Sequence, residues 1–299
     1  MPSVSSLREA SSALAEAHAA GRPLRIGEEL TTEGLDRVLE HEAGDLTCTV
    51  EAGIRLSTLA RALAEHGQRL SLDPPGDPTV GALLATNVSG PLRHRFGAPR
   101  DLVLGVTLVL ADGTIASAGG KVVKNVAGYD LARLVCGSRG TFALVGRASF
   151  RLHPLPKASR TLVVETEDTA GVAATLLRAQ LQPSALDVLH PGRASVLFEG
   201  SEGAVDHQLR SAKRLVGGDE AGADVWRESR ERQGAARGRI RFAPGALEKT
   251  LANLGTAVVR PAAGVAYVPA PVPDDTPEAV ARLTESIRRA FDPRGVLSG

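Results

Sequence analysis

Residues 73–82 read Asp-Pro-Pro-Gly-Asp-Pro-Thr-Val-Gly-Ala, a proline-rich turn that runs into a predicted helix. Prolines restrict the backbone before the helix, and Thr79 is a good N-cap for a helix that continues through Leu84. Gly81 and Ala82 put no bulk beside the N–H groups of the first turn, and free N–H groups at a helix start favour a phosphate. Taken alone, such a capped helix is more often structural than functional.

A second motif follows, Thr86-Asn87-Val88-Ser89-Gly90, and behind it comes a basic cluster at residues 93–101. Small and polar residues suit a loop that is pressed against a flat ligand. The basic side chains could pair with phosphates or could simply be solvated, and their charge alone favours solvation. Interleaved aromatic residues are absent apart from Phe96, so the cluster does not predict a nucleic-acid site.

The third motif spans residues 119–131, Gly-Gly-Lys-Val-Val-Lys-Asn-Val-Ala-Gly-Tyr-Asp-Leu, and residues 137–142, Gly-Ser-Arg-Gly-Thr-Phe. Glycine pairs allow the backbone to approach a planar or anionic ligand closely. The stretch contains neither GxxxxGK[ST] nor GxGxxG, which excludes a P-loop and a Rossmann-type dinucleotide fold.

Hydrophobic periodicity predicts the elements around these motifs. In the first half it predicts helices at 5–20, 56–63 and 131–135, the last one capped by Asp130, and strands at 23–26, 46–50, 69–72, 102–110 and 142–152, with a hairpin turn at 111–114. In the second half, strands and helices alternate over residues 161–260, which is typical of a small antiparallel sheet with helices on one face. A last amphipathic helix is predicted at 278–291.

Composition excludes several classes of function. The formal net charge is +1, so bulk electrostatics favour neither nucleic acid nor an anionic membrane. There is no apolar run of membrane-spanning length and no apolar signal-peptide centre near the N-terminus, so we expect a cytoplasmic protein without direct membrane insertion. Cys48 and Cys136 form no CxxC pair, so we expect them to be buried as small hydrophobic residues and expect no metal site.

As an ordered set, the three motifs resemble those of the FAD-linked oxidases of the vanillyl-alcohol-oxidase type, which carry a PCMH-type FAD-binding domain. Residues 74–81, 125–131 and 137–142 carry this resemblance, and residues 121–130 are especially similar to the FAD-binding subunit of glycolate oxidase. Residues 290–297 resemble the C-terminal signature of the family. The resemblance is strong over residues 46–156, faint in the second half and clear again at the end.

The resemblance implies an α+β fold in three parts. These are a two-subdomain PCMH-type FAD-binding domain at 1–156, a small α+β cap domain at 157–268, and a Pro-rich linker with a C-terminal helix returning to the FAD domain at 269–299. It also implies that backbone amides at 79–82 serve the pyrophosphate, and that the Asp101 region approaches the adenosine end or orders its loop. The residues that it places along the FAD are Pro75, Thr79, Gly81, Ala82, Asn87, Gly90, Gly97, Asp101, Gly140, Thr141 and Val145.

One segment departs from the family pattern. Members carry a glycine-rich pyrophosphate loop like Arg-Gly-Gly-Gly-Thr between the first strands, whereas the corresponding segment here is shorter and keeps only Gly27. Glu28 and Glu29 stand where a diphosphate would need N–H donors, and carboxylates near phosphates are repulsive. The departure predicts that FAD binding is weakened, altered or lost.

In function, the resemblance implies an FAD-binding oxidoreductase subunit that oxidises a 2-hydroxy acid such as glycolate. Hydride passes to the flavin, a base takes the hydroxyl proton and cations hold the carboxylate. The histidines are scattered and only His94 lies among the motifs, so the catalytic base is unassigned. The expected partners are a second FAD subunit and an iron–sulfur subunit. Two alternatives remain: a non-catalytic pseudo-flavoprotein that acts in complex assembly, and an unrelated small-ligand binding module.

Overall fold

A five-stranded antiparallel sheet is central to the first half of the chain in the computed structural model, which describes residues 3–120, 130–273 and 276–298. The elements in chain order are α1 (Leu7–Ala20), β1 (Leu24–Arg25), β2 (Val38–Glu42), β3 (Thr47–Glu51), α2 (Leu56–Ala64), β4 (Gln68–Arg69), α3 (Val80–Thr86), α4 (Arg93–Phe96), α5 (Pro99–Leu102), β5 (Val103–Val109), β6 (Ile115–Gly119), α6 (Leu131–Leu134), β7 (Leu144–Arg151) and β8 (His153–Pro154). The strand order is β2-β3-β7-β5-β6, with β4 and β8 paired separately. The predicted α+β class with antiparallel sheets is confirmed.

Local signals predicted several of these elements correctly. The Thr79 hydroxyl accepts a hydrogen bond from the Ala82 N–H at 3.2 Å and caps α3. Asp130 caps α6 in the same way, through the Arg133 N–H at 3.1 Å. The hairpin turn at 111–114 joins β5 to β6. Residues 121–129 of the third motif lie outside the described residues.

Two features of the first half differ from the prediction. The strand expected at 69–72 is only Gln68–Arg69, which pairs with His153–Pro154. The pairing does not continue to Leu152, because the Leu152 N–H donates to the Leu46 carbonyl at 2.7 Å. Strand β2 was not predicted, because its Val-Leu-Glu-His-Glu sequence lacks an alternation of apolar and polar residues.

The second half contains a seven-stranded antiparallel sheet in the order β12-β9-β11-β10-β14-β15-β13. Its elements are β9 (Ala158–Glu165), α7 (Thr169–Arg178), β10 (Ala185–His190), β11 (Arg193–Gly200), α8 (Glu202–Val216), β12 (Asp219–Ala221), α9 (Asp224–Gly234), β13 (Gly238–Arg241), a 3₁₀ turn (Pro244–Ala246), α10 (Leu247–Leu251), β14 (Ala257–Arg260) and β15 (Val265–Val268). Helices α7, α8 and α10 share apolar clusters with one face of this sheet, as predicted for helices on one face.

Helix α9 covers the other face, and the sequence did not predict it. The Trp226 side chain packs with Ala185 and Leu197, and its indole N–H donates to the Thr161 hydroxyl at 2.8 Å. Ala185 points away from α7 and α8 because successive residues of a strand face opposite sides. Helix α9 carries few apolar residues, so its periodicity is weak.

The C-terminal residues return to the first half. After α11 (Glu278–Phe291), strand β16 (Leu297–Ser298) pairs in parallel with β1. Val296 and Leu297 are buried in a cluster that includes Leu14 and Leu30. Helix α11 has no buried residue, although its Phe291 ring stacks on the Phe142 ring at 5.8 Å. The domain limits at 156 and 268 stay predictions.

Candidate functional site

A cavity of about 500 Å³ opens in the first half of the chain, a volume in the range of ligand pockets. Three segments line it, and we name them the α3 wall (residues 78–86), the glycine wall (residues 138–145) and the turn wall (residues 26–33), with Arg55 beside them. Five residues that the family resemblance placed along FAD line this cavity: Thr79, Gly81, Ala82, Gly140 and Val145.

The α3 wall is pressed tightly onto β3 and the segment after it. A Cβ atom at Gly81 would lie 3.1 Å from the Ala52 carbonyl oxygen, which is a tight contact that glycine avoids. The first-turn amides, which the sequence predicted to be free for a pyrophosphate, donate within the protein: Val80 to Ile54 at 3.0 Å, Gly81 to Ala52 at 2.6 Å and Ala82 to Thr79. That prediction of free amides is therefore wrong.

The glycine wall is attached to the end of α3. The N–H groups of Gly137 and Arg139 donate to the Leu84 and Ala85 carbonyls at 2.9 and 2.8 Å. Arg139 has φ 53° and Gly140 has φ 81°, so the chain turns through the left-handed region here. A Cβ atom at Gly140 would lie 3.1 Å from the Ile26 Cβ, which brings the glycine wall against the turn wall.

The turn wall is the segment in which the family glycines are missing. Glu28 forms an ion pair with Arg25 at 3.3 Å, and Glu29 accepts a hydrogen bond from the Arg25 backbone N–H at 2.8 Å. Neither carboxylate lines the cavity, so the expected repulsion of a diphosphate by these two residues is not supported. The carboxylate that does line it is Glu33, which is paired with Arg55 at 2.9 Å.

Thr31 supplies a hydrogen-bonding group on the turn wall. The residue is 9% exposed, and its hydroxyl is buried without a hydrogen-bond partner among the described residues. A buried polar atom without a partner is costly. Because Thr31 lines the cavity, a ligand there could satisfy the hydroxyl.

The other predicted cofactor residues do not line this cavity: Pro75, Asn87, Gly90, Gly97, Asp101 and Thr141. Asn87 ends α3 in the left-handed conformation, and its side-chain oxygen accepts from the Arg100 N–H at 3.1 Å. The Asp101 carboxylate accepts from the Ala98 N–H at 2.8 Å and so orders its own loop. Their place along a cofactor remains a prediction.

Strand β13 carries two arginines whose charges act on one another. Arg239 and Arg241 point to the same side of β13, and both remain accessible to solvent. Burial, together with the nearby positive charges of Arg241, Arg93 and Arg139, lowers the pKa of Arg239. Arg139 belongs to the glycine wall, so one of the charges that act on Arg239 lines the cavity. The sequence analysis did not single out Arg239 and Arg241, although an Arg-x-Arg alternation in a strand could have indicated them.

The described residues that line the cavity include no histidine. His94 is partly buried on α4, and burial lowers its pKa, which favours the neutral imidazole. Burial raises the pKa of both Cys48 and Cys136 to about 12, so their thiols are unreactive at neutral pH. Cys48 is buried, as predicted, and Cys136 is partly buried.

The arrangement of the two antiparallel sheets, with the cavity in the first half of the chain, is also found in solved structures. Two structures of alkyldihydroxyacetonephosphate synthase superpose on the chain with TM-scores of 0.70 and 0.72 at 16% and 15% identity, and each match covers 96% of this chain and 73% of the other. At this identity the likeness concerns the fold alone.

The sequence comparisons name the family. Residues 18–119 match the family model described as FAD binding domain. Glycolate oxidase subunit GlcE of Escherichia coli is 33% identical over 218 residues, which are 71% of this chain and 61% of that protein. Subunit GlcD of Bacillus subtilis is 34% identical over 56% of this chain and 37% of that protein. D-lactate dehydrogenase of Archaeoglobus fulgidus is 36% identical over 56% and 38%.

The chain carries an FAD-binding domain, which residues 18–119 match. It spans less than two thirds of the length of these curated relatives. No helix within the described ranges is long and apolar enough to cross a membrane.

Proposed function

We propose that the protein is an FAD-binding oxidoreductase subunit of a glycolate oxidase-like complex, and that it oxidises a 2-hydroxy acid. The observation that carries the proposal is the cavity, most of whose lining lies within the matched residues 18–119, together with the positive charges that Arg239 shares with Arg241 and Arg139. The names of the relatives, two glycolate oxidase subunits and a D-lactate dehydrogenase, support this class of substrate.

The residues of the cavity fit FAD. The Thr31 hydroxyl is an unpartnered donor, and Arg55 and Arg139 supply positive charge for a diphosphate. Gly27 has φ 93°, and nothing lies within 4 Å of the position that a Cβ would take, so its backbone leaves room for a ligand. Thr79, Gly81, Ala82, Gly140 and Val145 would contact the cofactor along the α3 and glycine walls.

FAD, when bound, would accept a hydride from the carbon that bears the hydroxyl group of the substrate. Arg239 and Arg241 would hold the substrate carboxylate, because guanidinium groups pair with carboxylates in bidentate geometry. Their positive charges also favour entry of an anion over a neutral alcohol. The group that takes the hydroxyl proton stays unassigned.

The partners belong to the proposal as well. GlcE and GlcD are named as subunits of glycolate oxidase. We therefore propose that this chain also assembles with other subunits, namely a second FAD subunit and an iron–sulfur subunit. Among the described residues no group of three or more His, Cys, Asp or Glu is placed to hold a metal. An iron–sulfur centre would therefore be contributed by another chain. We propose a cytoplasmic location for this assembly.

The second candidate is a pseudo-flavoprotein subunit that has lost or weakened FAD binding and acts in assembly. The loss of glycines from the turn wall and the engaged amides of α3 favour it. Titration of the purified protein with FAD, followed by flavin fluorescence and visible absorbance, separates the two candidates. Saturable binding is expected, and a colourless protein that takes up no added FAD would overturn the first candidate.

The substrate is tested with the FAD-loaded complex. Arg239→Ala and Arg241→Ala are each expected to raise the KM for glycolate or D-lactate about tenfold, because a charge-assisted hydrogen bond is lost. Arg8→Ala, at an exposed position of α1, is the matched control and should leave the KM unchanged. An unchanged KM in both β13 variants would refute the assigned carboxylate site.

A further inference from the structure

The segment between α3 and α4, residues 87–92, is packed against Asp73. Ser89 is 1% exposed, and a Cβ atom at Gly90 would overlap the Asp73 carbonyl oxygen. The Leu92 N–H also donates to the Asp73 carboxylate at 3.0 Å. The segment therefore has little room to move, and it directly follows Thr86 at the end of α3, which lines the cavity.

Two side chains from the second half of the chain meet on the Ser89 carbonyl oxygen. Arg260 of β14 donates from Nη1 at 3.0 Å, and Gln233 of α9 donates from Nε2 at 2.9 Å. Arg260 Nη2 also donates to Gln233 Oε1 at 2.6 Å. These three hydrogen bonds form a closed ring that joins the two halves of the chain, and we call it the Ser89 clamp.

The clamp contains a buried charge. Arg260 is 2% exposed, and its Nε lies 3.3 Å from Asp187 Oδ1, which is itself buried. The other Asp187 oxygen accepts a hydrogen bond from the Ser229 hydroxyl, and the guanidinium lies over the Tyr267 ring at 5.1 Å. Apolar residues often stabilise an interface as well as a buried ion pair does. A buried guanidinium that is shared among a backbone carbonyl, an amide and a carboxylate instead fixes the position of these three groups relative to one another.

We infer that Arg260 is a positioning residue that fixes the Ser89 segment and thereby couples docking of the second sheet to binding of the flavin. This inference rests on the proposed function, because the Ser89 segment directly follows Thr86, which lines the cavity proposed to hold FAD. Coupling of this kind is reciprocal: a flavin that orders the segment strengthens the clamp, and a broken clamp weakens the flavin site.

Arg260→Lys tests the inference. Lysine keeps the charge but has a single ammonium group, which cannot reproduce the fork that spans Ser89, Gln233 and Asp187. Arg193→Lys is the matched control, because Arg193 also joins this sheet to α9, through Glu228, but does not contact Ser89. We expect Arg260→Lys to weaken FAD binding about tenfold and to change the visible spectrum of the bound flavin. Arg193→Lys should leave both unchanged.

Gln233→Met gives a second variant in case Arg260→Lys does not fold, because it removes the Gln233 donor to Ser89 and the acceptor for Arg260 Nη2 but leaves the ion pair between Arg260 and Asp187 in place. It should weaken FAD binding in the same direction by a smaller factor. Equal FAD affinities and spectra in wild type and both clamp variants would overturn the inference while leaving the proposed function intact. A wild-type protein that binds no FAD would overturn the proposed function, and this inference with it.

Discussion

The α3 wall and the turn wall face the same cavity but are built differently. The α3 wall keeps the family motif, and its Thr79 cap is confirmed, whereas the amide of its Gly81 is bound to Ala52 and is not free as predicted. The turn wall has lost all but one glycine of the family loop, yet its two ends, Ile26–Gly27 and Thr31–Glu33, still line the cavity. The shape of the cavity therefore depends on how the backbone segments are attached. Its affinity for a ligand depends on the groups that these segments present.

Gly53 is the attachment point of the turn wall, and its substitution should have the largest effect. A Cβ there would overlap the Thr32 carbonyl oxygen, and the Gly53 N–H donates to Leu35 at 2.7 Å. Gly53→Ala should lower the free energy of unfolding by about 3 kcal/mol and displace the turn wall, because overpacking of backbone against backbone cannot relax. Urea denaturation measures this loss. Gly44→Ala, where nothing lies within 4 Å, should be neutral; equal stabilities of the two variants would contradict the attachment.

Substitution of Thr79 in the α3 wall should have a smaller effect on stability than substitution of Gly53. Thr79→Ala removes the side-chain cap of α3 and should cost about 1 kcal/mol of stability. Thr79→Ser keeps the hydroxyl and should restore most of that loss. If alanine and serine gave the same urea midpoint, the hydroxyl would not contribute to the helix.

Glu33 tests the charge of the turn wall. Because Glu33 lines the cavity and holds Arg55, Glu33→Gln should free the guanidinium and tighten FAD binding by about 1 kcal/mol, roughly fivefold at low salt. Glu28→Gln is the control, since its carboxylate faces Arg25 outside the cavity. Fluorescence titrations with FAD at two salt concentrations check both. A larger effect for Glu28 than for Glu33 would mean that the turn adopts another conformation.

The smallest effect is expected on the free energy of unfolding at acidic pH. The Arg37 guanidinium, hydrogen-bonded to Glu51, holds the pKa of that carboxyl below its usual value, and this pair fixes the chain that follows the turn wall. The pair therefore stabilises the fold at pH values above the unfolded pKa, and the contribution is lost as the pH falls through the folded pKa. Unfolding curves at a series of pH values should show this loss in wild type. In Glu51→Gln the corresponding slope should be absent.

Sequence reasoning succeeded where a signal is local. The Thr79 cap, the Asp130 cap and the hairpin at 111–114 each depend on a few neighbouring residues. It failed for α9, whose weak apolar pattern is compensated by the contact of Trp226 with the sheet.

The candidate site shows the same difference between features that depend on neighbouring residues and features that depend on distant ones. Five of the eleven residues carried over from the family meet in one cavity, and these lie on the α3 and glycine walls, where the motifs survive. The engaged amides of α3, the outward turn of Glu28 and Glu29, and the arginine pair of β13 depend on contacts between distant segments. One sequence does not show which segments meet, so these features could only be found in the structure.

The β1–β16 pair has a consequence for the order in which the molecule is made. Leu30, at the centre of the turn wall, is buried with Val296 and Leu297, which follow all the other described elements in the chain. During synthesis the ribosome releases the N-terminal elements first. The turn wall, although encoded near the start, therefore cannot complete its packing until residue 297 has left the ribosome. The nascent chain therefore carries the turn wall without this packing throughout elongation, and the turn wall gains it only when β16 pairs with β1.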